Sequence, residues 1–150
     1  MGLKEKLQAD LTDAIKARNE TKAGTIRMVL AAITTEEVSG KQARVLTDAE
    51  IITVLSREAK KRREAIDAYA AANRADLVAK EKSESDVISA YLPEQLSDSE
   101  IETLVQDAIS QTGASGPSGM GQVMKFLQPK IAGKADGGKV SAIVKKALGS

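Results

Sequence analysis

The sequence has no cysteine, no histidine and no tryptophan, and only three aromatic residues, Tyr69, Tyr91 and Phe126. Without Cys there are no disulfides, thiol nucleophiles or iron–sulfur clusters. Without His the commonest general base is missing, and with Cys absent too, every standard structural zinc site is excluded. Three aromatics cannot build rows of stacking platforms for bases. No apolar run approaches the roughly 20 residues a bilayer span needs. The opening Met1-Gly2-Leu3-Lys4-Glu5-Lys6 lacks a signal-peptide core, so a cytoplasmic address is the expectation, with no membrane partner.

What is present is a helical protein. Of 150 residues, 42% are apolar and 29% charged, enough for a packed core and a solvated surface. The net charge of +1 hides a split along the chain. Residues 1–115 carry 16 Lys/Arg against 20 Asp/Glu, whereas residues 116–150 carry six Lys against Asp136 alone. An acidic body with a basic end suggests a polyanionic partner for Lys125, Lys130, Lys134, Lys139, Lys145 and Lys146. The plainer reading is Lys on the solvated faces of short helices.

Apolar spacing is helical throughout. Leu3, Leu7, Leu11, Ala14 and Ile15 form one stripe; Ile26, Val29, Leu30 and Ile33 form a second, with Gly40 placed to close it in the left-handed conformation. Thr47-Asp48-Ala49-Glu50 reads as a capping box opening a third helix through Ile52, Leu55, Ala59, Ile66 and Tyr69. Asn73 reads as its break and as the next N-cap, and Pro93 ends the fourth helix at Tyr91-Leu92. A second capping box, Ser97 to Glu100, opens a fifth helix closed by Gly113. A sixth follows the small-residue loop 114–119 and stops near Pro129, and a seventh carries Val140, Ile143, Val144 and Leu148. The expected fold is all-α: two consecutive bundles, residues 1–95 with four longer helices and residues 96–150 with three short ones.

Few residues point to chemistry. Glu81 and Glu84 fall inside the apolar arc of the fourth helix, and Arg62 inside that of the third. The carboxylates could be an acid–base or metal pair; alternatively Arg62, with Arg27 at a stripe edge, neutralises them between helices. Gly133-Lys134-Ala135-Asp136-Gly137-Gly138-Lys139-Val140 fits the glycine and lysine spacing of a phosphate-binding loop. Val140 supplies no hydroxyl for magnesium, however, and helix rather than strand precedes the loop. What survives is a single backbone phosphate held by the amides opening the seventh helix with Lys134 and Lys139. The basic run Lys60 to Arg63 is spread around a helix, and Met28, Met120 and Met124 read as core filler.

The stretches Thr25-Ile26-Arg27-Met28-Val29-Leu30-Ala31-Ala32-Ile33, Arg74-Ala75-Asp76-Leu77, Tyr91-Leu92-Pro93-Glu94-Gln95-Leu96, Met120-Gly121-Gln122-Val123-Met124 and Gly133-Lys134-Ala135-Asp136-Gly137 together resemble the YqeY family over residues 3–148. Ala75 and Gly138 depart from the family pattern. The resemblance implies two helical bundles and kinship with the tail of GatB, a subunit of the tRNA-dependent amidotransferase. It therefore implies tRNA as a partner; since 150 residues leave no room for the catalytic domain, an accessory role without catalysis is expected, with no cofactor and no metal. The six C-terminal lysines would be the phosphate contacts. Two other readings stand beside it. One is a helical protein-interaction module, its acidic N-terminal bundle meeting an amidotransferase or aminoacyl-tRNA synthetase. The other is carbon–nitrogen ligase activity with glutamine as amido donor, implied by kinship alone.

Overall fold

The structure, a computed structural model, describes residues 2–149. Seven α-helices account for most of them: α1 (Leu3–Lys16), α2 (Glu20–Glu37), α3 (Asp48–Ala71), α4 (Ala75–Ser89), α5 (Asp98–Thr112), α6 (Met120–Ile131) and α7 (Gly137–Ala147). A single 3₁₀ turn, Pro117–Gly119, leads into α6, and no strand occurs among the described residues. The fold is all-α.

The chain divides into two compact units, Met1–Leu92 and Pro93–Ser150. In the first, α1 to α4 bury Leu7, Ile26, Val29, Ile33, Ile51, Val54, Leu55 and Ile88 in one core. In the second, α5 to α7 bury Ile101, Val105, Ala108, Val123, Leu127, Ile131, Val140 and Val144 in another. The division lies at Leu92–Pro93, slightly before position 95. Beyond it the chain is tied to the second unit: Gln95 Nε2 donates to the Gly133 carbonyl at 2.8 Å, and Leu96 N to the Lys134 carbonyl at 2.8 Å.

The Thr47 capping box forms in full: Thr47 Oγ1 accepts from Glu50 N, and Glu50 Oε2 accepts from Thr47 N at 2.8 Å. Ser97 caps α5, but Glu100 accepts from the Ser97 hydroxyl rather than its backbone. Gly113 closes α5 at φ 66°, a conformation that favours glycine.

Several local expectations are corrected. Gly40 is not a left-handed cap, because α2 ends at Glu37, where the Glu37 carbonyl accepts from Arg44 N. Asn73 is the left-handed residue (φ 57°) after α3, and the N-cap of α4 is Arg74. Pro129 does not stop α6: Ala132 N still donates to the Gln128 carbonyl, and Ile131 is buried. Helix α4 ends at Ser89, before Tyr91 and Leu92. Ile15 and Met28 are exposed rather than core, at 49% and 42%.

Candidate functional site

Charge in the second unit is segregated by helix. Lys125 and Lys130 lie on α6, Lys139, Lys145 and Lys146 on α7, and Lys134 in the connection between them; all six are exposed. Neither α6 nor α7 contains an acid. Helix α5 is the reverse, with Asp98, Glu100, Glu102 and Asp107 and no base. Ion pairs join these opposites: Lys139 to Asp98, and Lys130 to Asp107 at 3.7 Å. The Lys130 ammonium also stands 4.6 Å from the centroid of the Phe126 ring.

The acidic-body, basic-end division therefore dissolves when charge is counted by structural unit. Residues 1–92 hold sixteen Lys/Arg against fifteen Asp/Glu, and residues 93–150 hold six against six. The first bundle is not acidic. A boundary at residue 115 falls after α5, and so assigns the acidic helix of the second unit to the body of the protein.

The glycine-rich segment is not a phosphate-binding loop. It follows helix α6, Asp136 is the N-cap of α7, and Asp136 Oδ1 accepts from Gly138 N at 3.3 Å. An anion at this helix end would meet that carboxylate, and Lys139 is turned to Asp98. The single-phosphate site expected here from Lys134, Lys139 and the first amides of α7 is thus already filled by the chain's own carboxylate.

In the first unit, Arg62 is 8% exposed and central to a buried charge cluster. Its Nη1 donates to Glu58 Oε2 at 2.8 Å, and its Nε faces Glu84 Oε2 at 3.6 Å without a hydrogen bond. Its Nη2 lies 3.6 Å from Met28 Sδ. Lys61 Nζ bridges to Glu58 Oε1 at 3.1 Å from the surface. Arg62 thus pairs with Glu84, one of the two carboxylates the helical arc placed beside it, whereas Glu81 is not among these contacts and Arg27 is exposed. Glu58 is the partner that sequence reasoning missed. It sits four residues before Arg62 between Leu55 and Ala59, a spacing equally common on solvated faces.

Beside this cluster, a groove of about 560 Å³ separates α2 from α4, lined by Gly24, Thr25, Met28, Ala79, Ser83 and Glu84 among others. Ser83 Oγ donates to the Ala79 carbonyl at 3.0 Å, and Thr25 Oγ1 to the Thr21 carbonyl at 2.8 Å. These hydroxyls are committed to their own helices. No group of three or more acids that could hold a metal ion occurs among the described residues.

The structure is that of an all-α protein of two helical units. The family model described as Yqey-like protein matches residues 4–148, and the chain belongs to the YqeY family. Among curated relatives it is 30% identical to altered inheritance of mitochondria protein 41, mitochondrial, of Pyrenophora tritici-repentis, over 97% of this chain and 80% of the relative. It is 34% identical to an uncharacterized protein of Schizosaccharomyces pombe, over 61% of this chain and 72% of that protein. A Saccharomyces cerevisiae protein with the same name as the first is 34% identical over 64% of this chain and 51% of its own length.

Proposed function

We propose that the chain is a non-catalytic tRNA-binding accessory module, kin to the tail of the amidotransferase subunit GatB. The observation that supports it is the charge segregation of the second unit: α6 and α7 carry lysines and no acid, and all six lysines of this unit are exposed. Lysines on phosphates position an RNA without reading its bases. With three aromatics in the whole chain, recognition is by the shape of the folded RNA. The proposed address is the cytoplasm; the Pyrenophora and Saccharomyces relatives are named mitochondrial, and fractionation of the tagged chain decides between the two.

Filter binding of tRNA to the full chain at low and high salt tests the reading. Retention at low salt with a steep loss as salt rises is expected from counterion release. Absence of retention at low salt overturns it. One observation favours a second reading, a helical protein-interaction module that meets an amidotransferase or aminoacyl-tRNA synthetase. It is the open α2–α4 groove with the exposed Met28 in its wall. Copurification of such an enzyme with the full chain, insensitive to ribonuclease and lost in Gly24→Phe, would move the assignment there; a Cβ at Gly24 meets nothing within 4 Å, so the new side chain starts from open space in the groove wall.

A further inference from the structure

Granted the RNA-binding reading proposed for the second unit, the ion pairs between α5 and the lysine-bearing helices bear on how an RNA would be held. Asp98 and Asp107 lie on the helix that carries four acids and no base. Each is paired with a lysine of a helix that carries only bases, Asp98 with Lys139 of α7 and Asp107 with Lys130 of α6. A phosphate that took either lysine would leave the displaced carboxylate unpaired beside it. At that range, inside the Debye length of about 8 Å at physiological salt, salt weakens the repulsion between the like charges only in part.

We propose that α5 is the acidic boundary of the RNA-binding face, with Asp98 and Asp107 holding Lys139 and Lys130 out of phosphate contact. Lys130 and Lys139 therefore contribute little to affinity, and RNA is confined to the surface of α6 and α7 that faces away from α5's carboxylates. Asp98 and Asp107 are therefore specificity-determining residues that touch no RNA. Both pairs are solvent-exposed, with side-chain exposures of 49% and 68% for Lys139 and Asp98. Pairs of this kind add little to folding, so either acid can be neutralised in a folded protein.

The test is filter binding of unfractionated tRNA to the full chain across a salt series, with circular dichroism confirming that each variant is folded. Asp98→Asn with Asp107→Asn is expected to raise affinity several-fold. It should also steepen the plot of log affinity against log salt by about 0.7–0.9 for each lysine released. Glu100→Gln removes one charge from α5, half that of the double variant, at a carboxylate that accepts from the Ser97 hydroxyl. It is expected to leave the slope unchanged. Lys130→Ala with Lys139→Ala should cost little in the native background and should abolish the gain when added to the two Asn substitutions. An unchanged slope in the Asn variant, or a full loss on removing Lys130 and Lys139 from the native chain, overturns the inference while the RNA reading stands. Absence of binding by both the native chain and the Asn variant overturns both.

Discussion

Arg62 is where burial and charge meet most sharply. Its guanidinium is buried between a carboxylate of its own helix, Glu58, and one of α4, Glu84, with Met28 closing the side towards α2. Removing it leaves Glu58 buried with only the surface ammonium of Lys61 for compensation. Arg62→Ala is expected to cost roughly 3–5 kcal/mol, the usual consequence of stranding a buried charge, as read from urea melts. Glu84→Gln should cost far less, because its ion pair is long at 3.6 Å and carries no hydrogen bond. Equal losses for the two variants would show that Glu84, not Glu58, is the principal partner. Helical periodicity is enough to place Arg62 and Glu84 inside apolar arcs. It cannot tell that Glu58 joins the cluster and that Arg27 stays outside it, because that depends on rotamers and on where α2 lies against α3.

Glu37 is the second residue whose role is tertiary. Its carboxylate accepts from Lys4 Nζ at 2.7 Å and from Leu46 N at 3.2 Å, fastening the loop after α2 across the end of the bundle. The Lys4 hydrogen bond, then that from Leu46 N, hold its pKa below the usual carboxylate range. A carboxylate whose pKa is lower in the folded state stabilises the fold above its unfolded pKa; that contribution disappears as pH falls through the folded value. Stability of the native chain should therefore decline as pH drops through and below the ordinary carboxylate range. Glu37→Gln should shrink that decline without removing it, since Glu50 and Asp76 are lowered as well, Glu50 first by Thr47 N and Asp76 by Arg74. Thermal melts of both proteins between about pH 7 and pH 3 measure it; an identical acid limb would show that Glu37 carries none of the effect.

At the level of elements, the periodic signals hold and the terminators are where sequence reasoning slips. Seven apolar stripes at helical spacing correspond to seven helices, because each stripe has a core to face. Helix ends depend on competition for the last carbonyls. Gly40 is passed over because Glu37 takes Arg44 N on its carbonyl and Leu46 N on its carboxylate, reversing the chain earlier. Pro129 costs α6 the hydrogen bond that position 129 would make to the Lys125 carbonyl, yet the helix runs on to Ile131, which gains burial by staying helical. Arg18, at φ 56°, occupies a left-handed position after α1 that no residue type flags, since glycine or asparagine is usual there. Arg18→Gly is expected to change stability by less than about 1 kcal/mol, relief of the left-handed strain being offset by a freer unfolded chain. Thr47→Ala, by contrast, removes a complete capping box from the longest helix and should cost about 0.5–2 kcal/mol. Chemical denaturation of the pair separates the two: a larger loss for Arg18→Gly than for Thr47→Ala would mean that the Arg18 side chain holds the turn in a way the backbone does not.

At the level of the whole molecule, two cores share no residue, and this bears on both stability and binding. Charge along the chain is legible in the sequence, but its grouping is not. Helix α5 precedes the basic helices in sequence and packs its apolar face on theirs, through Ile101, Val105 and Ala108. The helix that dilutes the lysines' field therefore belongs to their own unit, which only packing reveals. Leu127 stands at the centre of this unit, fully buried on α6 between the lysine-bearing turns. Leu127→Ala removes its side chain from a core of eight buried residues and should cost about 2–5 kcal/mol. In amide-exchange measurements the loss should appear as faster exchange in α5, α6 and α7, while the amides of α2 and α3 around Ile33 and Leu55 keep their protection. Leu55→Ala should give the reverse pattern. On the RNA-binding reading, tRNA retention falls as the second unit opens in Leu127→Ala. It persists in Leu55→Ala at a temperature where α5 to α7 stay protected. Retention that followed Leu55 instead would move the interface to the first bundle and its basic run from Lys60 to Arg63.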